Sequence, residues 1–197
     1  SSIRPKRTTR PGEKPTQALI ERGVEYVEVR CLDLDPTLPL GIDATEVDFL
    51  DIFLMHCALQ PSPSIDDATC EQLERNFSKT VNAGRDPALK LQQGDEEISI
   101  PDWGLELISE MNSIAAALDL GVEDQRYQGS LKIQASKLRN VDLTPSAQVL
   151  SDMQKQSLSW LEYTASLSNQ HKDQLSSVSK PTPDNRPSTD TELEHRL

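Results

Sequence analysis

Aromatic residues are scarce in this sequence, at 4% of its 197 positions. A core made from it must rest on Leu, Ile, Val and Ala. Cysteine is scarcer still. Cys31, Cys57 and Cys70 form an odd set with no CxxC spacing, which argues against a disulfide framework and for a reducing, cytoplasmic setting. No apolar run approaches the roughly 20 residues of a membrane span. Positive charge is in short supply as well: 20 Lys and Arg stand against 32 Asp and Glu, a net charge of -12 and a pI of about 4.7. Nucleic-acid phosphates call for a basic surface, so a chain this acidic is a poor candidate for a polyanion binder. The opening "SSIRPKRTTR" has basic residues with no apolar stretch behind them and is not a secretory signal. It also lacks an initiator Met, so the chain is expected to begin inside a longer protein.

What is present is mostly helical. Thr16 is expected to cap a short helix through "TQALIER", stopped by Gly23. Asp43 and Glu46 have capping-box spacing ahead of the apolar "VDFLDIFLMHCAL". Ser64 and Asp67 open a further helix with Leu73, Phe77 and Val81 on one face. "LKLQQGDEEISI" reads as a short hairpin near residues 89–100 with "QQGDE" at its tip. Asp102 is expected to cap "WGLELISEMNSIAAALDL", and a weaker helix with Gly129 inside it follows. Thr144 and Pro145 start a long polar helix expected to run past Trp160 to about Val178. The stretch after it has prolines and charge without periodicity and reads as a disordered tail. The expected organisation is therefore a sheet segment over 1–43, a helical region over 44–178 and a tail over 179–197.

One stretch reads as a strand: "GVEYVEVRCLDLDP", Gly23 to Pro36. Alternation puts Val27, Val29 and Cys31 on one face, suited to packing under helices, and Tyr26, Glu28, Arg30 and Leu32 on the other. A lone strand leaves its backbone groups unpaired, so its partners are expected from sequence outside this chain. Glu28 and Arg30 have heads that either touch or reach separate ligands. A carboxylate oxygen is a hard ligand suited to Mg²⁺, and a guanidinium forks onto phosphate or carboxylate oxygens. Together they make a half-site for a metal–nucleotide complex. Against this stands the ordinary role of such charges, which is to be solvated or paired across strands.

The segments "IRPKRTT" at Ile3–Thr9, "GVEYVEVRCLDLDP" and "GID" at Gly41–Asp43 resemble the C-terminal part of the proteobacterial type of glutamate–cysteine ligase. "VNAGRDP" at Val81–Pro87 is similar to a Gly-Arg-x-Pro turn of that family. The resemblance implies an α+β chain that is part of a glutamine-synthetase-like carboxylate–amine ligase, contributing one strand to its catalytic sheet. It implies ATP, L-glutamate and L-cysteine as partners and Mg²⁺ as cofactor. By position it implies that Glu28 holds metal and that Arg30 contacts the transferred phosphoryl group. The family's other metal ligands lie upstream of the matched region, so the chain by itself is expected to be inactive.

Arg4, Lys6 and Arg7 are either contacts for ATP phosphates or the glutamate carboxylate, or a solvated basic strand end. His56 and Cys57 read as core, because Asp51 is poorly spaced to join them. Trp103 and Trp160 read as packing, the "GDEE" tip as a solvated turn, and His171 and His195 as exposed. A different class of function also fits: a non-catalytic helical module that docks a partner through its apolar helices.

Overall fold

The computed structural model describes residues 3–30, 32–121 and 124–177. Two compact units divide between Asp35 and Pro36.

The first unit is two strands and a helix: β1 (Ile3–Lys6), α1 (Pro15–Arg22) and β2 (Tyr26–Val29). β1 and β2 pair antiparallel, with Ile3 opposite Val29, Arg4 opposite Glu28, Pro5 opposite Val27 and Lys6 opposite Tyr26. The strand that sequence reading left without a neighbour therefore has one inside this chain, and it is the basic segment itself. Pro5 cannot donate to a ladder, which confines β1 to an edge position. Helix α1 starts differently from expectation. Lys14, not Thr16, is its N-cap, with no side-chain bond, because Pro15 occupies the first helical position and needs no donor satisfied. Gly23 ends it with φ at +72°, a conformation open to glycine.

Arg22 fastens this unit. Its guanidinium donates to both Glu13 carboxylate oxygens, at 2.5 and 2.8 Å, and to the Thr8 carbonyl at 2.9 Å. The Glu13 carboxylate also takes the Arg10 backbone N–H at 2.8 Å. The long return from β1 to α1 is thus held by a forked, charge-assisted contact.

The second unit is helical. Helices α2 (Ala44–Leu59), α4 (Ile100–Leu118) and α5 (Arg126–Arg139) enclose the main core. Its buried members are Ile52, Ile108, Met111, Ala115, Leu131 and Ala135. In α4 the members stand three, four and seven residues apart and in α5 four apart, the 3.6-residue repeat of one face. A buried Ile, Leu or Met contributes about 1.5–3 kcal/mol, and partly buried side chains such as Phe49, Phe53 and Ile114 pack against them. Asp43 caps α2 as expected, accepting from Glu46 N at 2.8 Å. The buried stripe of α2 is not purely apolar: Asp48, Ile52 and His56 share it. Arg126 Nε lies 3.4 Å from Asp48 Oδ1, and Glu110 Oε2 lies 3.4 Å from His56 Nε2. His56 is core, as expected. Cys57 is exposed, because it follows the stripe by one residue and turns about 100° away from it.

Helix α3 (Asp67–Ala83) is capped by Asp66, which accepts from Thr69 N at 2.8 Å, rather than opened by Ser64. Leu73, Phe77 and Val81 do lie along one face, and they are exposed among the described residues. The opposite side of α3 meets the hairpin β3 (Lys90–Gln93) and β4 (Glu96–Ser99), joined through Gly94 and Asp95. Gly94 has φ at +61°, as a tight two-residue hairpin turn requires. The Asn76 side chain donates to Gln92 O at 2.7 Å and accepts from Gln92 N at 2.9 Å.

Ser99, not Asp102, caps α4. Its hydroxyl accepts from Asp102 N at 3.1 Å and donates to the Asp102 carboxylate at 2.5 Å. Helix α5 is continuous through Gly129. Its start is capped from a distance: Asp119, at the end of α4, accepts from Tyr127 N at 3.1 Å and Gln128 N at 3.0 Å. The single long helix expected from Thr144 onward is two. Helix α6 (Pro145–Gln156) ends at Ser157, which adopts the left-handed conformation with φ at +53°. Helix α7 (Trp160–Ser177) then restarts under a Ser159–Glu162 capping box, with Ser159 N donating to Glu162 Oε2 at 2.9 Å. Trp160 is exposed, contrary to the packing role expected for it, while Tyr163 is buried. His171 is half-buried, with Nε2 3.2 Å from Thr37 O. Cys31, His195 and the tail expected over 179–197 lie outside the described residues.

The chain is thus α+β, mostly helical, with two small antiparallel sheets.

Candidate functional site

All five side chains singled out from the sequence fall in the first unit. The antiparallel register sorts them. Arg4, Lys6, Tyr26 and Glu28 share one face of the two-stranded sheet, with Ile3, Pro5, Val27 and Val29 on the other. Arg30 follows one residue past β2 with the parity of Glu28. The apolar face is not packed under helices as expected: Ile3 and Val27 are exposed and Val29 is half-buried.

Glu28 is the centre of the polar face. Lys6 Nζ lies 2.8 Å from its Oε2, and Arg30 Nε donates to its Oε1. Both carboxylate oxygens are therefore held, by cations from two different segments. Arg4 stands directly opposite Glu28 in the register. The hydrogen bonds from Arg30 and then Lys6 bring the Glu28 carboxyl down to about 2. It is an anion at every pH at which a cell operates. About a third of the Glu28 side chain, and slightly more of Lys6 and Arg30, faces water. A ligand can reach these groups without unfolding anything.

Arg7 is turned to a different task. Its Nε lies 3.8 Å from Glu25 Oε2, an oxygen that also accepts the Thr8 backbone N–H at 2.9 Å. The Thr8 bonds hold the Glu25 carboxyl below the usual range. The basic segment thus divides between two acidic partners, with Lys6 on Glu28 and Arg7 on Glu25. Sequence reading named Lys6 and Glu28 separately and missed that they meet. The signal was available in the alternation of "IRPK", which aligns Arg4 with Lys6, but it needed a register to become a contact.

Chemically, the face is a carboxylate set among three cations. It can take up phosphate or carboxylate oxygens through Arg4, Lys6 and Arg30. Glu28 offers one hard, permanently ionised oxygen ligand, which suits Mg²⁺. Among the described residues, no group of three or more His, Cys, Asp and Glu side chains can hold a metal. Glu28 by itself offers a single ligand, and a bound cation would have to displace Lys6 or Arg30 from it.

Comparison with known proteins bears on the same residues. Residues 1–80 match the family model described as glutamate-cysteine ligase. The glutamate–cysteine ligase of Pseudomonas putida is 46% identical over 171 residues, covering 87% of this chain and 33% of that protein. The enzyme of the same name from Bordetella petrii is 44% identical over 176 residues, covering 89% and 33%. In fold, the chain resembles the crystal structure of glutamate–cysteine ligase from Francisella tularensis in complex with AMP. The TM-score is 0.81 at 32% identity, over 92% of this chain and 36% of that one. The chain spans about a third of the length of the curated relatives it matches.

Proposed function

We propose that this chain, homologous to a segment of the glutamate–cysteine ligases, supplies one wall of an ATP-dependent ligase site joining the side-chain carboxylate of glutamate to the amine of cysteine. The observation that carries the reading is the Glu28 carboxylate, held ionised between Lys6 and Arg30 with Arg4 opposite. Two further facts support it: residues 1–80 carry the family match, and the Francisella relative binds AMP.

In this reading the glutamate side-chain carboxylate attacks the terminal phosphorus of ATP, giving an acyl phosphate and ADP. The cysteine amine then attacks the acyl carbon, phosphate leaves, and the amine gives up a proton. The product is γ-glutamylcysteine, the first intermediate of glutathione biosynthesis. Most of the catalytic work in such a transfer is positioning and charge stabilisation. Mg²⁺, when bound, neutralises the polyphosphate. Glu28 would give one oxygen to that ion. Arg30 follows the phosphoryl group, exchanging its bond to Glu28 for bonds to phosphate oxygens. Lys6 and Arg4 keep the remaining charge balanced and orient the nucleotide or the glutamate carboxylate. In the whole enzyme β1 and β2 belong to a larger glutamine-synthetase-like sheet, and the partly exposed face of Ile3, Val27 and Val29 is where its other parts pack. The setting is the cytoplasm, in keeping with the sparse cysteines.

The test is an assay of the full-length polypeptide with ATP, glutamate and cysteine. Phosphate release that requires both amino acids, with formation of γ-glutamylcysteine, supports the proposal. Hydrolysis of ATP indifferent to both, or no turnover at any Mg²⁺ concentration, would overturn it.

A further inference from the structure

The second unit holds a cavity that the ligase reading does not use. Its volume is about 410 Å³, within the range of small-molecule sites. The turn "GRDP" forms one wall, the start of α4 a second, and the end of α5 with the short 3-10 turn after it a third. Gln134, Lys137 and Leu138 lie along the α5 wall at positions i, i+3 and i+4, the spacing of a single helical stripe, and Val141 follows in the 3-10 turn beyond the helix end. Leu138 is seated against Gly104 of α4, where a Cβ would fall 2.7 Å from its methyl carbons. The apolar floor is therefore fixed by a close helix–helix approach.

The charge of the lining runs against that of the chain. Arg85, Lys137 and Arg139 line the cavity, with Asp86 the acidic residue among them. Asp86 is engaged locally, accepting the Ala88 backbone N–H at 2.9 Å. Arg85 reaches Asp142 Oδ1 at 3.7 Å, a loose and exposed pair. Cations in the last turn of a helix commonly serve only to offset its dipole. Here they also border a largely apolar, solvent-open cavity, in a protein whose net charge is -12. Ile100 and Pro101, the first residues of α4, put the electropositive end of that helix on the opposite wall.

We infer that this cavity binds a small amphipathic carboxylate, its apolar tail against Leu138, Val141 and Ile100 and its head among Arg85, Lys137 and Arg139. A neutral apolar ligand would leave the cations unused, and a purely polar anion would leave the floor uncovered.

The experiment is calorimetric titration of octanoate into the full-length protein, beside octyltrimethylammonium, which has the same tail and the opposite charge. Octanoate is expected to bind with a stoichiometry of one, and octyltrimethylammonium not to bind. The double substitution Lys137→Glu with Arg139→Glu is expected to weaken octanoate by roughly tenfold or more, a loss of about 1.4 kcal/mol for each factor of ten. Both side chains lie at the surface end of α5, so circular dichroism should remain that of the parent. Should the double variant lose helicity, Gln134→Trp, which fills the cavity from its wall, replaces it with the same expectation. Absence of octanoate binding, equal binding of the cationic probe, several equivalent sites, or unchanged affinity in the folded variant each overturns the assignment.

Discussion

Lys6 and Glu28 meet at 2.8 Å although they are not opposite one another: the register pairs Glu28 with Arg4 and Lys6 with Tyr26. The contact is diagonal, and the carboxylate is left with Arg30 on its other oxygen. A directly opposed pair would occupy one cation and one anion. The diagonal arrangement gathers three cations around a single anion and leaves the face with positive charge to spare.

If the proposed ligase reading holds, that surplus separates two substitutions in the full-length polypeptide. Glu28→Gln keeps size and removes the charge offered to a metal, so turnover should fall and its Mg²⁺ dependence shift to higher concentrations, with partial rescue by excess Mg²⁺. Arg30→Lys keeps charge and loses the planar fork, so kcat should drop about a hundredfold or more with a smaller change in the KM for cysteine. Both residues are partly exposed, so each variant should stay folded, with a thermal midpoint at most slightly below the parent. Steady-state kinetics over a Mg²⁺ series decides the matter. Two variants that fold and work like the parent would reduce the pair to a solvated strand face.

The acid side of the stability profile should carry the mark of Glu13 and Glu28. Each has its carboxyl lowered from the ordinary 4.5 to about 2, Glu13 chiefly by Arg22 and Glu28 chiefly by Arg30. The folded state therefore holds these protons less tightly than the unfolded chain. Their stabilising effect is complete above about pH 4.5 and is lost as pH falls towards 2. Denaturant midpoints measured between pH 5 and pH 2 should decline, less steeply in Glu13→Gln. High salt should flatten the Glu28 contribution, because that pair is open to water. A midpoint independent of pH across this window would show that the pairs do not stabilise the fold.

Asp119→Ala should cost about 0.5–2 kcal/mol, the loss of a helix cap, because it strips two backbone N–H groups at the start of α5 of their acceptor. Asp119→Asn keeps an acceptor oxygen and should recover part of that loss. Urea unfolding of both variants tests the point, and equal destabilisation would assign the effect to charge and not to capping.

Ser159→Ala should destabilise α7 by about 1 kcal/mol, since the Ser159 hydroxyl and the Glu162 carboxylate satisfy each other's end of the helix. Far-UV dichroism and thermal melts of the variant measure it. No change in either would mean that the break after α6 is set by Ser157 alone.

How far the sequence could be read depended on the range of the interaction. Asp43 with Glu46, Gly23 and the "QQGDE" tip act over a few residues, and each was legible where it stands. Ser159 and Glu162 have the same capping spacing as Asp43 and Glu46. They were passed over because the polar periodicity of the flanking segments ran on without a proline or glycine to interrupt it. Cys57 was misjudged because an apolar composition all round α2 hides which stripe is inward, and that stripe turned out to include Asp48 and His56. Glu28 and Arg30 were singled out from strand alternation and family resemblance and Lys6 from the basic segment, while the contact of Lys6 with Glu28 needed a strand pairing across twenty-two positions of chain. The inward face of β2 was wrongly filled with helices because alternation names a face and says nothing of what covers it.

The amide of Asn76 touches Gln92 as another strand would. In a hairpin closed by two residues, Gln93 and Glu96 exchange ladder bonds, and the backbone groups of Gln92 point away from β4. Asn76 fills both of them, and Lys79 takes the Lys90 carbonyl beyond at 3.2 Å. Helix α3 thus serves this sheet as a selvedge, finishing the weave along its outer side. A stray chain in extended conformation finds no row of open donors and acceptors there to copy itself onto, and a polar helix face does the guarding that prolines or charged strands do elsewhere.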